Sequence, residues 1–300
     1  MSKSAAWLSS LRLRTLPLAL SCIGMGSIMA VNYRLFDLKI FILTACTAIF
    51  LQILSNLAND YGDAIHGADS ADRVGPKRGL QNGEITLSQM RNAIIACALL
   101  ALVTGCWLLH ETVSGFTFIM FLILGLLCIA AAIKYTAGKK PYGYAGLGDI
   151  SVFVFFGLVG VAGTFYLFTH GIKADVLLPA CAMGLLSTGV LNINNMRDIE
   201  SDAAAGKKTM VVRMGIEKAK RYHAFLIVGA LVFISWFTLR HYSNPFQLMY
   251  LITVPFFLIQ LKGIMKDQPS QMDKYLKRLS LTTLLLVIVF GIGIILQYNV

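Results

Sequence analysis

The chain has 300 residues, of which 57% are hydrophobic and only 14% charged, against roughly a quarter charged in a soluble domain. That balance excludes an ordinary soluble enzyme; with many apolar runs near the ~20-residue spanning length, it specifies an all-α polytopic membrane protein. The net charge of +11 does not indicate a nucleic-acid partner, because the basic residues sit between apolar runs rather than on a polar surface.

Nine spanning segments are expected, at 15–33, 39–59, 89–109, 116–134, 149–169, 176–196, 222–240, 246–263 and 279–297. They form one bundle and a single domain over 1–300. Lys3, Arg12 and Arg14 precede the first run as in a signal peptide, but no cleavage site of small residues follows and Pro17 opens the run. A retained first helix is therefore predicted.

The second run is charge-free over 40–54 and ends in Asn56-Leu-Ala-Asn-Asp-Tyr-Gly-Asp63. Asn56, Asn59, Asp60 and Asp63 fall at i, i+3, i+4 and i+7, one face of a helix. The 64–88 loop follows, with Arg73, Lys77 and Arg78. After the fourth segment comes a polar island at 135–149, with four glycines, a proline and three tyrosines. It reads either as a plain interhelical turn or as a shaped loop whose tyrosines line a pocket. The fifth and sixth segments carry Gly or Pro, which packed membrane helices tolerate.

The sixth run ends in a second polar face: Asn194, Asp198 and Asp202 at i+4 spacing, with Asn195 beside them. Arg197 lies within it, and Lys207 and Lys208 open the loop that follows. Cys22, Cys46, Cys97, Cys106, Cys128 and Cys181 all lie in apolar segments without a Cys-x-x-Cys pair, and read as small core residues.

Orientation follows from the basic residues. With the N-terminus inside, all 26 Lys and Arg except Arg34, Lys39, Lys173 and Arg240 lie on the inner side. The C-terminus is then outside, and both acidic stretches sit at inner helix ends.

Several carboxylates facing one way repel one another, and an all-oxygen ligand set suits Mg2+. Such an ion commonly bridges carboxylate to phosphate, so the two faces read as the jaws of one diphosphate site. The Asn side chains and the nearby basic residues are then candidates for the phosphate oxygens. The blander reading of each acid is an interfacial helix cap.

The chain resembles the UbiA superfamily of intramembrane aromatic prenyltransferases. The resemblance rests on Arg12-Leu-Arg-Thr-Leu-Pro17, Asn56 through Asp63, Arg73-Val-Gly-Pro-Lys-Arg-Gly79, Tyr135-Thr-Ala-Gly-Lys139, Pro141-Tyr-Gly-Tyr-Ala-Gly-Leu-Gly-Asp149, Asn192 through Asp202, and Gly206 through Gly215. The 141–149 segment is similar to that of the naphthoate-prenylating branch of menaquinone biosynthesis. In the family pattern NDxxDxxxD, Asn59, Asp60 and Asp63 match but Gly67 stands at the last acid, with Asp69 and Asp72 beyond it.

The resemblance implies a bundle with a central cavity open to the cytoplasmic side, in a bacterial inner membrane. It implies Mg2+ held by Asp60, Asp63, Asp198 and Asp202, acting as catalytic Lewis acid and template. The diphosphate is contacted by Asn56, Asn59, Arg73, Lys77, Arg78, Tyr135, Lys139, Asn194, Asn195, Arg197, Lys207 and Lys208. The implied reaction joins the prenyl group of a polyprenyl diphosphate to 1,4-dihydroxy-2-naphthoate, with loss of CO2 and diphosphate. Loops 64–88 and 135–148 exclude water, and Tyr61, Tyr135 and Phe155 are candidates for stabilising an allylic cation. Other readings are the same fold with 4-hydroxybenzoate or haem as acceptor, or an ion-coupled transporter.

Overall fold

The computed structural model describes residues 2–67 and 79–297. Arg73, Lys77, Arg78, Asp69 and Asp72 lie outside the described residues. Every regular element among the described residues is helical, and nine helices are long and apolar enough to cross a membrane.

A short helix, α1 (Lys3–Leu11), is capped by the Ser2 hydroxyl and precedes the first long one. The chain turns at Arg12, whose φ is +48°, and enters α2 (Leu16–Asn32) with Pro17 in the first turn, where the missing N–H costs nothing. Next come α3 (Leu38–Ile65), α4 (Leu87–Thr112) and α5 (Gly115–Lys134). Asp37 caps α3, and Thr86 with Gln89 forms a capping box on α4. The fifth span, α6 (Gly148–Thr169), is not regular: Phe153–Gly163 winds as a π-helix. Then follow α7 (Leu177–Arg197), the short α8 (Ile199–Ala204) and α9 (Met210–Met214), α10 (Ile216–Arg240), α11 (Pro245–Lys266) and α12 (Asp273–Leu296). The expected segments and observed helices agree to within a turn or two. The largest shifts are at the C-terminal end of α3 and the N-terminal ends of α10 and α12, which run past the apolar stretch into polar sequence.

Burial separates the helices. Within its apolar stretch α7 is 72% enclosed, whereas α5 has no buried residue. Phe116, Val103, Leu239 and Ile259 point outward from their helices, as lipid-facing residues do when the surrounding solvent is itself apolar. Association in lipid relies on close packing of small residues. A Cβ on Gly157 of α6 would lie 2.6 Å from the Ala180 carbonyl oxygen of α7. The main core joins α2, α6, α7, α10, α11 and α12, and a second joins α1, α3 and α4. A cavity of about 280 Å³ lies between these cores.

Gly62 sets the approach of α3 to the loop after α5. A Cβ there would sit 2.5 Å from the Thr136 carbonyl carbon and oxygen, while the Thr136 hydroxyl donates to the Ala58 carbonyl at 3.0 Å. Gly62→Val is expected to destabilise the protein by about 1–3 kcal/mol through overpacking, read as a lower melting temperature in detergent. An unchanged melting temperature would mean that the two elements are not held together here.

Candidate active site

The helical spacing of the two acidic stretches becomes one place in space. Asp60 and Asp63 occupy the last turns of α3; Asp198 follows α7 and Asp202 lies on α8. All four are buried. Carboxylates removed from water need compensating charge, and each has it. The Arg12 guanidinium lies 2.6 Å from Asp60. Arg197 grips Asp198 through two nitrogens, at 2.8 and 2.6 Å. The Lys207 ammonium sits 3.0 Å from Asp63 Oδ1 and 3.0 Å from Asp202 Oδ1. One oxygen from each jaw therefore converges on a single positive centre.

Arg12 carries no site role in the sequence reading beyond orientation and the family resemblance, yet it reaches both members of the first motif, donating to Asn59 Oδ1 at 3.2 Å and to Asp60. Its placement depends on Asn56. The Asn56 amide donates to the Leu11 carbonyl at 3.0 Å and the Thr15 hydroxyl at 3.1 Å, and its carbonyl accepts from Gln52 at 3.1 Å. Asn56 ties down the turn that carries Arg12. Asp273, at the start of α12, is a further residue the sequence did not single out. It accepts from Arg14 at 3.1 and 2.9 Å and also from Arg197, linking the N-terminal arm to the second motif.

The 141–148 loop is a shaped one. The Tyr144 hydroxyl donates to Asp63 at 2.6 Å, and its ring centroid is 4.7 Å from Lys207 Nζ. The Lys208 N–H donates to the Tyr144 carbonyl at 2.8 Å, and Arg213 donates to the Lys208 and Ala145 carbonyls at 3.0 and 2.6 Å. Gly146, at φ +84°, permits this approach: a Cβ would meet the Lys208 carbonyl oxygen at 2.6 Å. These bonds latch the 141–148 loop to the segment that follows the second motif.

Not every expected residue converges. Lys139 and the Lys208 side chain are exposed and make no ion pair among the described residues. Asn195 is buried but does not line the cavity, whereas Asn194 lines it and accepts from Arg197 at 2.9 Å. Tyr61 packs partly buried against the α1–α3–α4 core and does not line the cavity. Tyr135 and Phe155 do line the cavity.

The cavity is amphipathic along its length. Arg12, Arg14, Gln52, Asn59 and Asn194 stand at the acidic end, and Leu18, Ile23, Leu51, Phe155, Phe156 and Val159 form its apolar walls. The π-helical winding of α6 supplies Phe155, Phe156 and Val159, an irregularity of a kind often found at functional sites. A second, apolar cavity of about 150 Å³ shares Ile23, Ala48, Leu51, Cys128 and Val159 with the first. Burial pushes the Asp202 carboxyl up from the ordinary range, Lys207 pulls it back, and Asp198 and Asp63 push it further up. Burial also raises the Tyr135 phenol, helped by Asp149, Tyr142, Asp202 and Asp63, so that phenol stays protonated.

A divalent cation fits this donor set. The ammonium between Asp63 and Asp202 is a stand-in positive charge already held by hard oxygen atoms of both motifs. No group of three or more His, Cys, Asp or Glu side chains is preassembled around one point among the described residues. An ion here would thus take few protein oxygens and complete its shell from water and phosphate, as Mg2+ commonly does.

Residues 19–282 match the UbiA prenyltransferase family. The 1,4-dihydroxy-2-naphthoate octaprenyltransferase of Escherichia coli (strain K12) is 46% identical over 299 residues, covering 99% of this chain and 97% of that protein. Among solved structures, a UbiA homolog from Aeropyrum pernix K1 superposes with a TM-score of 0.70 at 19% identity, covering 96% of this chain and 99% of that one. A UbiA homolog from Archaeoglobus fulgidus bound to DMAPP and Mg2+ gives 0.61 at 17%, covering 94% and 98%.

Proposed function

The chain belongs to the UbiA prenyltransferase family, and from that premise we propose that it is a membrane 1,4-dihydroxy-2-naphthoate polyprenyltransferase of menaquinone biosynthesis. It transfers a polyprenyl group from its diphosphate to the naphthoate ring. The observation that carries the reading is the convergence of Asp63 and Asp202 on one positive centre, beside an otherwise apolar cavity that is lined by Arg12, the partner of Asp60. A transporter needs its ionisable groups along a path through the membrane; here they gather at one end of the bundle. The whole chain acts as one domain, with the N-terminus and the acidic end of the cavity facing the cytoplasm and the C-terminus outside a bacterial inner membrane.

The lipid tail lies along Leu18, Ile23, Leu51 and Val159, and the second cavity extends the same apolar wall. The diphosphate head meets Arg12, Asn59 and Asn194, with Arg14 at the rim. Asp63 and Asp202, supported by Asp60 and Asp198, would hold Mg2+, which would supply positive charge to offset that of the diphosphate leaving group. Arg12 and Arg197 orient Asp60 and Asp198. The allylic C–O bond breaks with its electron pair going to the diphosphate. Phe155 and Phe156 exclude water from the allylic carbon, and each aromatic face contributes about 0.5–2 kcal/mol to a developing cation. The electron-rich ring attacks through carbon. The ring carboxylate leaves as CO2, and the electrons of its C–C bond restore aromaticity.

Purified protein with Mg2+ and an allylic diphosphate, given the naphthoate or 4-hydroxybenzoate in parallel, tests the reading. Prenylation of the naphthoate is expected; prenylation of the benzoate alone would transfer the assignment to that acceptor.

A pH dependence follows from Asp202. Its carboxylate form holds the cation, and its pKa is raised, so protonation removes that form at a higher pH than for an ordinary Asp, about 3.9. The acid limb of kcat/KM reports groups of the free enzyme. It is expected above that ordinary value and is expected to vanish in Asp202→Asn, together with most activity. An acid limb at or below the ordinary value would contradict the burial argument.

A further inference from the structure

We propose that Lys207 is an exchangeable counterion: it holds Asp63 and Asp202 together before the metal arrives, then moves its ammonium to the diphosphate. The inference rests on the metal reading above and adds to the expected diphosphate contact of Lys207 a prior place between the two acids and the exchange that links the two.

Three contacts seat the ammonium: Asp63 Oδ1 at 3.0 Å, Asp202 Oδ1 at 3.0 Å and the Tyr144 ring at 4.7 Å. Both carboxylates are nearly closed off, with side chains 6% and 9% exposed, and the lysine side chain is 12% exposed. Two such carboxylates facing each other repel when both are ionised, and a cation between them offsets that repulsion. A hard divalent ion takes carboxylate oxygens at about 2.0–2.1 Å, far closer than the ammonium. Ion and ammonium cannot share the gap, so the ammonium must leave.

The surroundings let it leave without disturbing the loop. Gly206, at φ +72°, precedes Lys207, and the Lys208 N–H is pinned to the Tyr144 carbonyl at 2.8 Å. The backbone stays latched while the four-carbon side chain swings. A compact, strongly hydrated ammonium on a flexible stem suits a phosphate group well. Metal alone displaces the ammonium without giving it a new partner. Metal with diphosphate replaces the lost carboxylates by phosphate oxygens, so binding of the two is coupled through this residue.

The test reads Mn2+ binding by electron paramagnetic resonance on the full chain in detergent, with and without inorganic pyrophosphate. Lys207→Met is expected to bind Mn2+ alone at least about 10-fold more tightly than wild type, and to show a smaller gain on adding pyrophosphate. Lys207→Gln keeps a donor between the acids and is expected to shift in the same direction, which covers a Met variant that fails to fold. In wild type, acylation of Lys207 read by mass spectrometry is expected to rise with Mn2+ alone and fall again with pyrophosphate. Unchanged or weaker Mn2+ binding in the variants, or labelling indifferent to Mn2+, would make Lys207 a permanent strut and overturn the exchange. Absence of Mn2+ binding in wild type, or identical binding in Asp63→Asn, would instead overturn the metal reading itself.

Discussion

Asp63→Asn lowers kcat/KM for the allylic diphosphate by at least about 10³-fold, roughly 4 kcal/mol of transition-state stabilisation, while the protein melts near its wild-type temperature. The substitution is nearly isosteric. The Asn carbonyl still accepts from Tyr144 or Lys207, which reach Asp63 Oδ1 at 2.6 and 3.0 Å, and Lys207 keeps its ion pair with Asp202. What disappears is one full negative charge at the point where the two motifs meet. A cation bound there loses a hard anionic ligand, and the leaving diphosphate loses the charge that ion supplies. Steady-state kinetics beside a detergent melting curve check the claim; kcat/KM within threefold of wild type would place the essential charge elsewhere.

Arg197→Met destabilises the protein by about 3–5 kcal/mol, the cost of stripping a buried carboxylate of its guanidinium. Arg197 is 2% exposed and Asp198 5%, and two of its nitrogens grip that carboxylate. A third group of contacts reaches Asp273 and Asn194. Met matches the stem in bulk, so the loss is electrostatic rather than a cavity. Arg197→Met with Asp198→Asn is therefore expected to recover much of the stability, because the uncompensated charge is gone. Reversible unfolding in mixed detergent measures both. A single variant within 1 kcal/mol of wild type, or a double variant no better than the single, would contradict the burial argument.

The spans were legible because a membrane imposes long apolar runs, and the only question left was where each helix stops. Those stops were misread where α3, α10 and α12 continue into polar sequence, since packing against other chain segments replaces lipid there. The carboxylates were legible because four-residue spacing is a property of the helix itself. Arg197 and Lys207 were legible with them, because they lie beside the second motif in sequence. Arg12, Arg14 and the acid Asp273 were not: they meet the site only through chain reversal, and a basic residue beside an apolar run carries the same signature whether it reads topology or grips an acid. Asn56 shares a helix face with Asp63, but its neighbour is the N-terminal arm, which no spacing rule reveals. Lys139 illustrates the converse: the YxxxK spacing is present, yet the lysine is exposed. The π-winding of α6 left no trace in hydrophobic pattern, because a uniformly apolar run has no phase to disturb.

The shared positive centre of Asp63 and Asp202 is the point on which the reaction scheme rests. Diffraction at the manganese edge, from crystals grown with Mn2+ and an unreactive thio-diphosphate analogue, tests it most directly. The account predicts an anomalous peak touching carboxylate oxygens of both Asp63 and Asp202, with the diphosphate on its far side. Manganese bound to one motif alone, or lying outside the cleft between the two, would contradict it.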